Sequence, residues 1–197
     1  MFKIILDPGH GPNYNPGAVS GYYEGNAMYE LATYLRDELL KYADVTVTVT
    51  RKNISEHPDL KPRTDMARGA DLFLSLHSNA HNTVAQGVVI FYSQLRKDSK
   101  TLANNLCKAI VKIFNDYGST KTYSRGAQIR LDGSEDYYHV VREAIKFSTI
   151  KASFLIEHGF HDNTAECKVL KNPSALKAMA RAEAEVIAAE YGLKLKS

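Results

Sequence analysis

Cysteine is scarce, with Cys107 and Cys167 the only two in 197 residues. Both fall in segments that read as helix or helix-flanking, and neither has a second ligand nearby. A disulfide framework is therefore excluded and a cysteine zinc site disfavoured, leaving two buried free thiols. No apolar run is long enough to span a bilayer, so no membrane insertion is expected. The N-terminal stretch Met1-Phe2-Lys3-Ile4-Ile5-Leu6-Asp7-Pro8 lacks the basic region, longer apolar stretch and small-residue cleavage site of a signal peptide. Either export without a signal or trimming to a mature domain is expected instead. Excess charge of one sign is missing too. Twenty-five Lys and Arg against 22 Asp and Glu leave +3, without the dense basic clustering of a nucleic-acid binder. There is no Gly-x-Ser-x-Gly elbow for a serine hydrolase. The Gly9–Gly17 loop has neither the Gly-Lys-Ser/Thr ending nor the Gly-x-Gly-x-x-Gly spacing of a phosphate cradle. Repeats, low-complexity stretches and an interdomain linker are also absent.

What is present is an ordinary globular composition, 44% hydrophobic and 24% charged. The length suits one domain with a proper core. Phe2–Leu6 reads as a buried strand. Met28, Leu31, Ala32, Leu35 and Leu39 recur at helical spacing, predicting a helix from about Glu24 to Tyr42. Val45, Val47 and Val49 alternate with threonines, a period-two strand. Further apolar runs at Leu72–Leu76, Gly87–Tyr92 and Ser153–Ile156 read as strands. Pro62–Arg68 is a short helix stopped by Gly69. A long helix through Leu102, Leu106, Ile110 and Ile113 is closed by Gly118. Asn172-Pro173 opens a last helix that Gly192 ends. The polar segment 119–138 reads as a surface loop with a short strand near 127–130. Strands alternating with helices predict an α/β domain, a mostly parallel central sheet with helices on both faces. Residues 1–197 are expected to form a single domain, with no second domain attached, and to act as a monomer.

Four residues lie at ends of these elements. His10 follows the first strand, His77 the run Leu72–Leu76, and Glu157 the run Ser153–Ile156. Glu24 opens the first long helix, three, four and seven positions before Ala27, Met28 and Leu31, which places it on the inward face. In open α/β sheets ligands collect at the carboxyl ends of strands. Two imidazoles and a carboxylate make a catalytic zinc set with a fourth position for water. A further carboxylate is then needed to move protons, and Glu157 suits that task. Each residue also has a structural reading. Glu24 can be a helix N-terminal acid favoured by the macrodipole, Glu157 a salt-bridged strand end, and the histidines satisfied core or surface groups. From spacing alone both readings stand. His57, His81, His139, His158 and His161 are read as surface or core groups.

The motifs resemble those of the zinc-dependent N-acetylmuramoyl-L-alanine amidases of the amidase-3 family, from Ile4 to about Tyr191. The resemblance rests on Asp7-Pro8-Gly9-His10-Gly11, Gly17-Ala18, Glu24, Thr50-Arg51, and Leu60 with Arg63. It continues through Ser75-Leu76-His77-Ser78-Asn79-Ala80, Gly87-Val88, His139-Val140-Val141-Arg142-Glu143 and Ile156-Glu157-His158-Gly159-Phe160, before Asn163. It implies one Zn2+ on His10, Glu24 and His77, and a catalytic role for Glu157. It also implies peptidoglycan as the partner, cut between the lactyl group of N-acetylmuramic acid and L-alanine. Asn79 and Arg142 match positions near the cleft where a substrate contact is plausible, although for Arg142 a helix-surface charge pair is an equal reading. Arg63 is expected to pin its helix to the sheet. Tyr22 and Tyr23 are candidates for lining the cleft, and 130–138 looks like an insertion that reads as a loop. Rival readings are a zinc peptidase cutting within the stem peptide, and a module that binds peptidoglycan without cutting it.

Overall fold

A computed structural model describes residues 1–197. Strand β1 (Phe2–Pro8) is flanked by parallel neighbours β2 (Val45–Val49) and β3 (Leu72–Asn79). Strand β8 (Ala152–Phe160) runs parallel to β3 on its far side. Strand β4 (Val88–Tyr92) then reverses direction against β8, and β5 (Ser124–Gln128) follows it in parallel, giving the order β2-β1-β3-β8-β4-β5. The expected mostly parallel sheet is thus present, with one antiparallel junction.

Side chains along the central strands alternate between two cores. Ile4, Leu6, Leu72, Leu74, Leu76, Phe154 and Ile156 face the larger one. It is covered by helices α1 (Glu24–Leu39), α3 (Lys100–Tyr117) and α6 (Pro173–Tyr191). Ile5, Phe73 and Leu155 face a smaller core with Val140, Val141 and Ala144 of helix α4 (His139–Ala144). The short helix α2 (Leu60–Asp65) packs beside α4 on that face. Helices therefore cover both faces of the sheet, as the sequence pattern predicts. Cys107 and Cys167 are buried free thiols.

Boundaries differ from expectation where tertiary contacts extend a strand. β3 continues to Asn79 and β8 to Phe160, so His77 and Glu157 lie within strands, as register partners, rather than beyond them. The first long helix stops at Leu39, not Tyr42, and the short one lies at Leu60–Asp65. Helix α5 (Thr164–Leu170) is too short to leave a periodic signature. Its start is set by Asn163, whose side chain accepts from the Ala165 and Glu166 N–H groups. The 130–138 segment folds back as a hairpin of β6 (Leu131–Asp132) and β7 (Glu135–Asp136).

Candidate metal centre and active site

The carboxyl ends of β1, β3 and β8 converge beside the start of α1. His10 leaves β1 with φ 58, a left-handed conformation seldom adopted outside glycine. Arg51 holds that turn, because its Nη1 donates to the His10 carbonyl at 3.2 Å and to the Gly25 carbonyl at 2.7 Å. The loop and α1 meet so closely that a Cβ on Gly25 would stand 1.8 Å from the Gly11 carbonyl oxygen. A Cβ on Gly9 would stand 2.2 Å from Cε1 of His77. Both glycines are therefore fixed by close approach.

Glu24 is buried, as its place on the inward face of α1 predicts. Its Oε1 accepts from the Ser78 N–H at 2.9 Å and lies 3.0 Å from Nδ1 of His77. Its Oε2 accepts from Asn15 Nδ2 at 2.7 Å and lies 3.4 Å from Nε2 of His10. Burial alone would raise its pKa. The His77 contact, the charges on His77 and His10 and the Asn15 hydrogen bond outweigh burial and hold it at about 2. Burial lowers both imidazoles, and for His10 it prevails. For His77 the Glu24 contact overcomes it, so the pKa is raised. One donor atom from each of His10, Glu24 and His77 lies within 4.8 Å of the others, a group able to hold a metal ion. Two imidazoles and a carboxylate are a donor set of the open, catalytic type.

Glu157 borders the same cavity of about 360 Å³, together with Asn15, Asn79 and His161. Its Oε2 is buried and has no hydrogen-bond partner. Burial pushes its carboxyl up to about 7, against the opposing pull of the His77 charge. That lies in the range where a carboxyl can both take and give a proton near neutrality. A buried carboxylate without a partner is costly, and a structural salt bridge does not account for Glu157.

The structure brings His10, Glu24, His77, Glu157 and Asn79 to this cavity. It does not bring Arg142 there. The Arg142 Nη1 donates to the Asp136 carbonyl at 2.7 Å, and its Nε lies 3.5 Å from Glu135 and 3.4 Å from Glu143. It thus ties α4 to the β6–β7 hairpin. Tyr22 is buried behind the cavity, its hydroxyl 2.8 Å from Ser78 Oγ. Tyr23 lines a separate depression with Asn26 and Lys171. His158 is a core group, its Nδ1 3.0 Å from the His77 carbonyl and its Nε2 3.1 Å from Glu183. His161 departs from the surface-or-core reading, because it is buried yet lines the cavity. No sequence signal marks it, since it follows a strand whose length is set by pairing with β3.

The model of the N-acetylmuramoyl-L-alanine amidase family Amidase_3 matches residues 4–189. The chain belongs to this family. As a member it is a hydrolase that acts on bacterial peptidoglycan. It is 31% identical over 198 residues to the N-acetylmuramoyl-L-alanine amidase CwlM of Bacillus licheniformis, covering 98% of this chain and 70% of that protein. The endolysin of Bacillus phage SPP1 is 29% identical, covering 100% of this chain and 69% of the endolysin. In fold the chain matches the catalytic domain of the amidase CwlV from Bacillus (Paenibacillus) polymyxa var. colistinus, with a TM-score of 0.81, 23% identity and coverage of 98% and 100% of the two chains.

Proposed function

We propose that the chain hydrolyses the amide between the lactyl group of N-acetylmuramic acid and the L-alanine of the stem peptide, with one zinc ion held by His10, Glu24 and His77. The observation that carries this reading is the pairing of two unlike carboxylates in one cavity. Glu24 is held ionised by two imidazoles, an amide and a backbone N–H, whereas Glu157 is buried with a free oxygen. Zinc, when bound, supplies a Lewis acid that polarises the substrate carbonyl and acidifies a water molecule.

The remaining chemistry belongs to the protein. Glu157 takes a proton from the attacking water and returns it to the leaving amine of L-alanine, a task matched to a carboxyl near neutrality. Glu24 cannot share that task, because its hydrogen bonds favour the ionised form. Asn79 borders the cavity, with its Oδ1 accepting from the Ala80 N–H at 2.9 Å, which supports a contact between its amide group and substrate. The 197 residues work as one catalytic unit on cell-wall material, as a monomer and without inserting into a membrane. No helix is long and apolar enough to cross one.

The test is a digest of purified muropeptides, read by mass spectrometry. Intact stem peptides with a free L-alanine amine are expected, with release lost on chelation, restored by zinc and lost in Glu157→Gln. Cleavage inside the stem would make the enzyme a peptidase. Wall binding without cleavage would make it a binding module.

A further inference from the structure

We propose that His161 is a further substrate-contacting residue, whose Nε2 accepts a hydrogen bond from the N–H of the scissile amide. This rests on the amide-hydrolase reading of the same cavity. β3 and β8 lose register between His77 and Asn79, which pair with Glu157 and Phe160, so β8 carries one extra residue there. Irregularities of this kind re-aim side chains at the ends of strands. The chain emerges with His161 lining the cavity beside Glu157, its side chain only 7% exposed.

The ring's orientation fixes which nitrogen faces substrate. Nδ1 lies 2.9 Å from the Ser78 carbonyl oxygen and 2.9 Å from Ser78 Oγ. A carbonyl oxygen only accepts, so Nδ1 carries the proton directed at Ser78, and Nε2 is the ring nitrogen left to act as an acceptor. Tyr22 stacks on the ring with centroids 6.0 Å apart. The Tyr22 hydroxyl, 2.8 Å from Ser78 Oγ, ties the same serine in place. His161 lies outside the group of three whose donor atoms fall within 4.8 Å of one another. Its approach to Glu24, at 3.9 Å, is through the protonated Nδ1. Nε2 makes no hydrogen bond within the chain and is not among the buried unpaired atoms, so it opens to the cavity. A secondary amide brought to Glu157 carries one N–H donor that must find an acceptor when water is excluded. Glu157 is committed to the transferred proton and Glu24 to its four partners, whereas Nε2 of His161, beside Glu157 in the cavity lining, has no partner within the chain and can accept that N–H.

Two measurements test this. In the first, His161→Leu and His161→Gln are compared with wild type for muropeptide hydrolysis and zinc affinity. His161→Leu is expected to lower kcat/KM by about 10- to 100-fold, the loss of one buried hydrogen bond, with zinc affinity within about twofold of wild type. His161→Gln, which retains an acceptor at the Nε2 position, is expected to recover part of the loss. Unchanged kinetics in His161→Leu would overturn the proposal. So would zinc affinity falling in step with activity, which would make His161 a prop for Glu24. In the second, the imidazole nitrogens are followed by 15N NMR in Glu157→Gln as muropeptide is added, with His161 intact. The His161 Nε2 signal is expected to be that of an unprotonated nitrogen and to move on binding. Cleavage by wild type with no such movement would sink this proposal alone, whereas absence of cleavage by wild type would sink the amidase reading beneath it.

Discussion

Two buried carboxylate clusters lie near the carboxyl ends of the same strands, and they are built in opposite ways. In one, Asp7 accepts from Thr50 Oγ1, Arg63 Nε, Arg63 Nη2 and Ser75 Oγ, each at 2.7 Å. Burial raises its pKa, but the Arg63 charge and these hydrogen bonds win and hold it below the ordinary carboxylate range. In the other, Glu157 has an oxygen with no partner and is pushed up to about 7. A closed cluster holds architecture together, and here it fastens α2 to the sheet through Arg63. An open one keeps capacity for a substrate, at a cost in stability that a purely structural acid would not carry.

The contrast can be broken at either side. The largest effect is expected at the open cluster. Glu157→Gln should lower turnover by about a hundredfold to ten-thousandfold, the usual contribution of a positioned acid–base group, with the circular dichroism spectrum unchanged. Retention of wild-type turnover would remove Glu157 from the chemistry. At the closed cluster, Arg63→Ala strands Asp7 as an unpaired buried charge and should cost about 3–5 kcal/mol in urea unfolding. A loss below about 1 kcal/mol would show that water reaches Asp7.

The two clusters should also carry opposite pH signatures in the metal-free protein. Asp7 has a depressed folded pKa. Its contribution is present above the unfolded value and is lost as pH falls through the folded one. Glu157 has a raised folded pKa. Its contribution is fully present below the ordinary value of 4.5 and is lost as pH rises to about 7, a change on the order of a few kcal/mol. Metal-free Glu157→Gln should therefore be more stable than the metal-free wild type at pH 8 and should lose the decline between pH 4.5 and 7. Parallel stability curves for the two proteins would refute the open-cluster assignment. The smallest effect is expected at Arg142. Its partners are backbone carbonyls and two nearby acids at the surface, so Arg142→Ala should leave kcat/KM within about twofold and stability within about 0.5 kcal/mol. A tenfold kinetic loss would return Arg142 to the substrate cleft.

Much of this was legible in the sequence because the cues were local. Alternating valines and threonines set β2, the stripe from Met28 to Leu39 set α1, and Asn172-Pro173 with Gly192 bounded α6. Placing Glu24 three and four positions before apolar residues was enough to aim it inward. Features set by long-range pairing were not legible. The continuation of β3 and β8 past His77 and Glu157 depends on the register between the two strands. Helix α5, at seven residues, is about two turns held by a cap. The place of His161 follows from the irregular pairing at the end of β8, and that of Arg142 from a hairpin with two-residue strands. Arg51 clamps the His10 turn through backbone carbonyls of His10 and Gly25, partners that carry no side-chain signal in the sequence.

The division of labour between the two cavity carboxylates is tested most directly by calorimetric zinc titration of wild type, Glu157→Gln and Glu24→Gln. One zinc per chain is expected in wild type and in Glu157→Gln with similar affinity, and an affinity at least about tenfold weaker in Glu24→Gln. Equal losses in both variants, or wild-type binding by Glu24→Gln, would contradict the assignment of Glu24 to the metal and Glu157 to the proton.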